Sequence, residues 1–310
     1  MDVDGGGSSL LHRYGSVAED LARRLLCLSE GDRLDSVGQL AADFGTGRGT
    51  VQSALQVLIQ ESAVRFETRG KLGSFITHLD YQRLLERAGL SPIIGAMAVA
   101  YSLRFQGLAA GITQAFQQAG LPLVLAQIRG GRNRLHFLRT GRCDFAVISR
   151  MAWQAEEALG DLRLVLSFGP GSNVGDHVLV FGSPEAAAIA DGMRVGVDPS
   201  STDHVRLTQE ECEGKAVQLV EISYAQSLAR LLKGEIDVTV WDAGVALPFP
   251  GLAIRPRQRR LAPDDPDTEA VLVIRAGYEP LGDLLRSRID PGFVTSVQRR
   301  VVAREETPAF

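Results

Sequence analysis

Between residues 36 and 62 apolar side chains recur at i, i+3, i+4 and i+7 twice over: Val37, Leu40, Ala41 and Phe44, then Val51, Ala54, Leu55 and Leu58. That spacing predicts two short amphipathic helices. Gly45-Thr46-Gly47 between them leaves room only for a tight turn. Two such helices cross steeply, bury their stripes against each other and leave one face of the second free. The free face carries Arg48, Thr50, Gln52, Ser53 and Gln56, donors and acceptors of a size that reaches base edges and phosphates in a major groove. Two short strands are expected next, at 64–67 and 74–77. They are joined by Arg69-Gly70-Lys71-Leu72-Gly73, with glycines where a hairpin needs unusual backbone angles. Arg69 and Lys71 at the tip suit a phosphate or minor-groove contact. A helix pair with a merely solvated face would show the same local pattern; the cationic hairpin favours double-stranded DNA as partner.

On either side the periodicity changes. A helix is expected over 17–29, with Leu21, Leu25 and Leu28 as its stripe and Gly31 as its stop. Residues 1–9, acidic and glycine-rich, are expected to form a disordered tail. After the hairpin comes a short charged linker helix over 80–88, ended by Gly89 and followed by Ser91-Pro92. The expected division is 1–79 for a winged helix-turn-helix domain, 80–92 for a linker and 93–310 for an effector-binding domain. In the last part, strands are expected at 93–100, 123–128, 145–149, 162–168, 177–181, 193–197, 217–222, 236–241 and 270–275. Helices are expected at 103–119, 132–139, 202–212, 224–232 and 281–288. This alternation implies an α/β fold of parallel sheets covered on both faces.

One phrase occurs twice. Leu138-Arg139-Thr140-Gly141-Arg142-Cys143-Asp144 runs into the apolar Phe145-Ala146-Val147-Ile148, and Leu231-Leu232-Lys233-Gly234-Glu235-Ile236-Asp237 runs into Val238-Thr239-Val240. Each reads as helix end, glycine cap, aspartate and buried strand. Such turns also recur by chance, so the echo alone leaves two readings open: coincidence, or two similar lobes with a ligand cleft between them.

Composition narrows the class. A chain of 310 residues with 45% hydrophobic and 23% charged residues is an ordinary globular protein of two domains. Its longest apolar run, 93–101, is too short to span a bilayer, and no signal peptide is visible, so no membrane partner and a cytoplasmic location are expected. Cys27, Cys143 and Cys212 are isolated and odd in number, which argues for a reducing compartment. The charge balance opposes DNA binding at first sight: residues 1–80 hold eight Lys or Arg against eleven Asp or Glu. Over 44–71 the balance reverses, with Arg48, Arg65, Arg69 and Lys71 against Glu61 and Glu67. Modest, salt-sensitive affinity requiring two copies of the domain is the expectation.

Strand ends nominate an effector pocket. They carry Tyr101, Ser102 and Arg104, then Arg129, Gly130 and Arg132, then Ser149 and Arg150, then Asp198, Ser200, Ser201 and Asp203, then Trp241 and Asp242. Four arginines among hydroxyls suggest a small anionic ligand, a carboxylate or phosphate, with Asp198 or Asp242 receiving an amino or hydroxyl group on it. The competing reading is surface arginine in a chain with only three lysines. Enzyme motifs are missing: His12, His78, His136, His177 and His204 show no metal-ligand spacing, and no hydrolase elbow or P-loop is present. Lys71, Lys215 and Lys233 sit in poor contexts for a Schiff base. No catalytic residue, metal or cofactor is therefore expected.

Several phrases resemble known families. Gly31-Asp32-Arg33-Leu34, Gln39-Leu40-Ala41, Phe44-Gly45, Arg48, Thr50-Val51, Ala54-Leu55, Leu58 and Gly70-Lys71-Leu72-Gly73-Ser74-Phe75 resemble the GntR-type winged helix. That family usually has proline where Asp35 stands, often serine at Gly47, and a basic residue at Gln52. Gly47 and Gly49 therefore make a loose start to the recognition helix. Tyr224-Ala225-Gln226-Ser227-Leu228 with Lys233-Gly234-Glu235-Ile236-Asp237 resembles a type 2 periplasmic-binding-protein domain. Arg104, Gly107-Leu108-Ala109, Arg129-Gly130, Ser149-Arg150, Gly169-Pro170, Val195-Gly196 with Asp198, Ser223-Tyr224 and Arg300-Val301-Val302 extend the resemblance, over almost the whole chain, to YhfZ-type bacterial regulators. The resemblance implies a dimeric transcription factor with a two-lobed effector domain, acting on a palindromic operator. A second class stays open: a small-molecule binding protein or enzyme whose N-terminal helices serve only for assembly.

Overall fold

A computed structural model of the chain describes residues 6–245, 251–259, 262 and 264–310, with side chains from residue 16 onward. It divides into two compact units. One takes in the residues up to 93 together with 116–124 and 278–289; the other holds 94–115, 125–277 and 290–310.

The first unit opens with α1 (Gly6–Leu26), which starts well upstream of the expected residue 17 and includes residues 6–9 of the expected tail; residues 1–5 lie outside the described residues. There follow β1 (Arg33–Leu34), α2 (Val37–Asp43), α3 (Arg48–Gln60), β2 (Val64–Thr68), β3 (Ser74–Leu79) and α4 (Tyr81–Arg87). The Ser36 hydroxyl caps α2 by accepting from Gln39 N at 3.2 Å. As the periodicity required, Leu40, Ala41, Val51, Ala54, Leu55 and Leu58 are buried, while Phe44 ends α2 half-buried. The hairpin is one strand richer than expected: β1 pairs with β3 to make a three-stranded wing of order β1-β3-β2. Two residues are too few to carry a hydropathy signal.

The second stretch runs β4 (Ile93–Met97), α5 (Leu103–Gln118), β5 (Leu123–Gln127), α6 (Gly131–Arg139), β6 (Phe145–Ser149), α7 (Arg150–Glu156), β7 (Leu162–Ser167), β8 (His177–Phe181), β9 (Arg194–Val197), α8 (Thr202–Cys212), β10 (Gln218–Glu221), α9 (Ser227–Leu232), β11 (Val238–Asp242), β12 (Ala253–Pro256), β13 (Ala270–Arg275), α10 (Glu279–Arg288) and α11 (Pro291–Val302). Helix α10 belongs to the first unit, where Arg288 donates to Leu28 O at 3.1 Å and to the Tyr81 hydroxyl, its guanidinium 4.3 Å from the centre of the Tyr81 ring.

Two five-stranded sheets define two lobes, β5-β4-β6-β13-β7 and β10-β9-β11-β8-β12. They are mixed, not parallel as expected. Strands β4 and β6 are parallel, as are β10, β9 and β11, but β13 runs antiparallel to β6 and β7, and β8 antiparallel to β11 and β12. The physical reason is the connection. Between β7 and β8, and again between β12 and β13, the chain passes from one lobe to the other instead of returning through a crossover helix, so strand direction is free to reverse.

The sequence echo is structural. Gly141 and Gly234 have φ of 71° and 66°, and each closes its helix by donating to Leu138 O at 3.1 Å or Leu231 O at 3.0 Å. Asp144 Oδ2 accepts from Ile94 N at 2.8 Å; Asp237 Oδ2 accepts from Arg194 N at 2.7 Å. The same aspartates donate their backbone N–H to Ile94 O and Arg194 O at 2.7 and 2.8 Å. In one lobe a carboxylate staples the start of β6 to the start of β4, and in the other the start of β11 to the start of β9.

Candidate functional site

On the first unit Arg48, Gln52, Ser53 and Gln56 are exposed along α3, with Thr50 half-buried. Gly47, extended at φ −79°, caps α3 without a side-chain hydrogen bond. Arg69 and Lys71 are exposed at the wing tip, where Gly70 and Gly73 take φ of 56° and 97°. Arg69 does not project freely: it pairs with Glu67 at 3.0 Å and lies 4.9 Å over the Phe75 ring.

The second unit holds a cavity of about 320 Å³ between its lobes, at the ends of the strands. One wall is a column of rings. Tyr224 stacks on Trp241 at 4.6 Å and 6°, Tyr101 stacks on Tyr224 at 5.6 Å and 27°, and Phe105 meets Tyr101 edge-on. The Tyr224 hydroxyl accepts from Asp242 N at 2.8 Å, which fixes the ring. Tyr101 belongs to the first lobe and Tyr224 to the second, so the column joins them. The lobes also meet where Arg132 N donates to Ser200 O at 3.0 Å and Ser149 Oγ donates to Asp203 Oδ1 at 2.7 Å.

The expected pocket residues separate into those that line this cavity and those that build it. Tyr101, Arg129, Asp198, Ser201, Trp241 and Asp242 line it. Ser102 and Ser149 are buried helix caps, accepting from Phe105 N at 3.3 Å and Ala152 N at 3.0 Å. Ser200 donates to Asp198 Oδ1 at 2.6 Å. Arg132 is exposed, and Arg104 reaches the carbonyl of Gly171 in the connection between the lobes. Arg150 makes a bidentate pair with Glu269 at 2.5 Å, which holds the Glu269 carboxyl below the usual carboxylate range. Of the four arginines on which an anion site was expected, Arg104 and Arg150 are thus engaged outside the cavity and Arg132 is exposed, which leaves Arg129 on the lining.

Besides Arg129, Asp198 and Asp242, the expected Asp203 also faces it, and three charged or titratable residues not expected there join them: Arg134, His177 and Asp267. Arg134, on the same face of α6 as Leu135 and Leu138, is buried, donates Nη1 to Ile128 O at 2.9 Å, and has no partner for Nε among the described residues. Asp203, Asp267 and His177 join it on the lining. Asp267 is fully buried; no N–H reaches its carboxylate oxygens among the described residues, and its carboxyl lies against that of Asp203, with which it shares a hydrogen bond. His177 Nδ1, 3.5 Å from Asp267 Oδ2, has no hydrogen-bond partner among the described residues. Each such group costs about 1–3 kcal/mol when buried without a partner. Burial raises the pKa of Asp267 well above the ordinary range, with the neighbouring charge of Asp203 adding to it; burial also raises those of Asp203 and Asp242 and pushes His177 down to about 3. His204 is a scaffold residue: its Nδ1 accepts from Asp198 N at 3.0 Å while Nε2 meets Val240 O at 3.1 Å, which sets the neutral tautomer.

Asp203 is legible as a strand-end residue, and Arg134 leaves a trace, a cation at a position of the buried helical face. Asp267 sits in Asp264-Asp265-Pro266-Asp267, which composition alone reads as exposed loop. Among the described residues no group of three or more His, Cys, Asp and Glu is arranged to hold a metal ion, and no helix is long and apolar enough to cross a membrane.

Comparison with known proteins adds the lineage. Residues 29–76 match a helix-turn-helix domain family and residues 80–310 match the YhfZ C-terminal domain. The Escherichia coli (strain K12) protein YhfZ is 33% identical over 308 residues, covering 97% of this chain and 99% of its own. The crystal structure of YhfZ from Shigella flexneri is similar with a TM-score of 0.59 at 30% identity, covering 74% of this chain and 97% of that one. An ancestral arginine-binding protein bound to arginine shares the fold alone, with a TM-score of 0.50 at 13% identity, covering 68% of this chain and 96% of that one. The order of elements is thus a helix-turn-helix domain followed by an α/β domain of the periplasmic-binding-protein type, and the chain belongs to the YhfZ family.

Proposed function

We propose that this protein is a DNA-binding transcriptional regulator, not an enzyme, whose operator affinity is modulated by a small carboxylate-bearing molecule held between the lobes of the second unit. The observation that carries the reading is the pairing, in one chain, of an exposed polar face on α3 beside a cationic wing with a ring-walled cavity whose buried Arg134 faces inward. Residues 1–79 form the DNA-binding part, 80–92 the linker and 93–310 the effector-binding part. Arg48, Thr50, Gln52, Ser53 and Gln56 read the major groove, and Arg69 and Lys71 contact phosphate or the minor groove. The protein acts as a homodimer in the cytoplasm on a palindromic operator, its two recognition helices spaced roughly 34–36 Å apart.

Fluorescence anisotropy with DNA from upstream of the protein's own operon tests this. The expected result is salt-steep binding that Arg69→Ala/Lys71→Ala weakens at least roughly tenfold, with a salt slope shallower by about 1 for each phosphate contact removed. Equal affinity of wild type and double mutant, or no binding to that DNA or to a randomised pool, sinks the proposal. Light scattering on the same complex reads the dimer: a monomer that binds tightly removes that part.

A further inference from the structure

The cavity asks for more than a carboxylate. Asp198 spends both oxygens on its own neighbourhood, Oδ1 on Ser200 N and Oγ and Oδ2 on Tyr224 N at 2.8 Å. It holds the loop, with three of its roughly four acceptor sites already taken. Asp242 is buried and uses Oδ1 on Gly244 N at 2.8 Å, with Oδ2 uncommitted among the described residues. Asp267 meets no N–H among the described residues, only the carboxyl of Asp203, and keeps acceptor positions open. Two buried carboxyls with open acceptor positions therefore share the cavity with one buried guanidinium whose Nε–H is open.

We infer that the effector is a small zwitterion of the amino-acid type: its carboxylate is received by Arg134, its ammonium by Asp267 and Asp242, and its body lies along the Tyr101–Tyr224–Trp241 column. The charges argue for both ends at once. A ligand with a carboxylate alone satisfies Arg134 and brings a further negative charge beside the buried acids. A ligand with an ammonium alone satisfies the acids and leaves the Nε–H of Arg134 buried and unmet. A zwitterion completes both sets, and an ammonium beside π-faces gains cation–π attraction from the same rings. The assignment of a ligand class rests on the regulator reading only for its consequence at DNA, so the two can fail separately.

Calorimetry on the full chain without DNA tests it. The probes are the proteinogenic amino acids, each with its decarboxylated amine and its 2-keto acid. At least one amino acid is expected to bind, with amine and keto acid each weaker by roughly 10- to 100-fold. Asp267→Asn and Asp242→Asn should weaken the amino acid by about tenfold and leave the keto acid unaffected; Arg134→Lys should weaken amino acid and keto acid alike and spare the amine. Circular dichroism identifies a variant that fails to fold, in which case the ligand-analogue series on wild type decides. A keto acid or inorganic phosphate binding as tightly as the best amino acid overturns the inference, as does no amino acid binding at about 1 mM. Adding the bound amino acid to the anisotropy assay separates the claims. Binding without effect on DNA leaves the ligand class standing and removes the modulation; a DNA response to some other molecule, with no amino acid bound, does the reverse.

Discussion

The two lobes carry nearly the same backbone and opposite chemistry. Strand β6 pairs with β13 in the register Ser149↔Ala270 to Phe145↔Ile274, and β11 pairs with β8 in the register Asp242↔His177 to Val238↔Phe181. Even the bond just beyond the strands repeats: Arg150 N donates to Glu269 O at 2.8 Å, and Ala243 N to Asp176 O at 3.0 Å. Position by position, the first lobe has Ala98, Ser149 and Ala270 where the second has Asp198, Asp242 and His177. The first lobe supplies the cations Arg129 and Arg134, the second the acids Asp198, Asp203 and Asp242, and Asp267 comes from the connection that leads back into β13. Hydrogen-bonded scaffold tolerates little change because every buried N–H and C=O needs its partner. The strand ends facing the cavity are under no such demand, and there the lobes diverged.

The largest effect should come from imposing one lobe's residue on the other. Gly95 occupies the strand position of Val195, but a Cβ there would stand 2.1 Å from the Phe145 ring. Gly95→Val should cost about 3 kcal/mol or more in urea unfolding, the upper range for overpacking. A cost below about 1 kcal/mol would mean the sheets are less alike than their register says.

Next is the place where the lobes touch. Gly130 has φ 77°, and a Cβ on it would lie 2.2 Å from Ser200 Oγ across the cleft. Gly130→Ala should hold the lobes apart, with a larger radius of gyration in small-angle scattering and effector affinity down by roughly 100-fold, the factor set by a closed-state population reduced about as much. An unchanged scattering curve would place closure elsewhere.

The His177/Ala270 difference has a pH signature. Burial depresses the His177 pKa to about 3 from 6.5, so the unfolded chain binds a proton that the folded one refuses. Stability therefore falls as pH drops through that window, by about 1.4 kcal/mol per pH unit at full effect. Asp267, with its pKa raised, works in the opposite direction. The comparison is thus between wild type and His177→Gln: the variant should lose that slope between about pH 4 and 6. Parallel curves would mean His177 is protonated in the fold.

The smallest effect tests the likeness itself. Asp144→Ala and Asp237→Ala each remove a staple, β4 to β6 in one lobe and β9 to β11 in the other, and should each cost about 1–2 kcal/mol, within about 0.5 kcal/mol of each other. Their acids nevertheless titrate apart, because burial raises Asp144 while the Arg194 side chain lowers Asp237. A large difference near neutral pH would assign the Arg194 pair more weight than its partial exposure allows.

What was legible along the chain was what neighbours in sequence decide. Helical stripes placed α2 and α3; glycine, aspartate and an apolar run placed both staples; and β6, β8, β13 and α8 fall on the expected residues. Local order lives in hydrogen bonds and side-chain spacing within a few residues, and both leave a period in the sequence. The short α7 and strands β1 and β12 carried too little period to be seen; α11 was missed although Val294, Val297 and Val301 form a stripe at i, i+3 and i+7. Sheet direction, the engagement of Arg104 and Arg150 outside the cavity, and the meeting of Arg134, Asp242 and Asp267 in one chamber came only from the tertiary structure. A strand end announces that a residue is near a loop, but which side chains share a desolvated space depends on how two distant segments close on each other. Arg134 and Asp267 are separated by the whole of the second lobe in sequence, and only the chain's double passage between the sheets brings them to the same cavity.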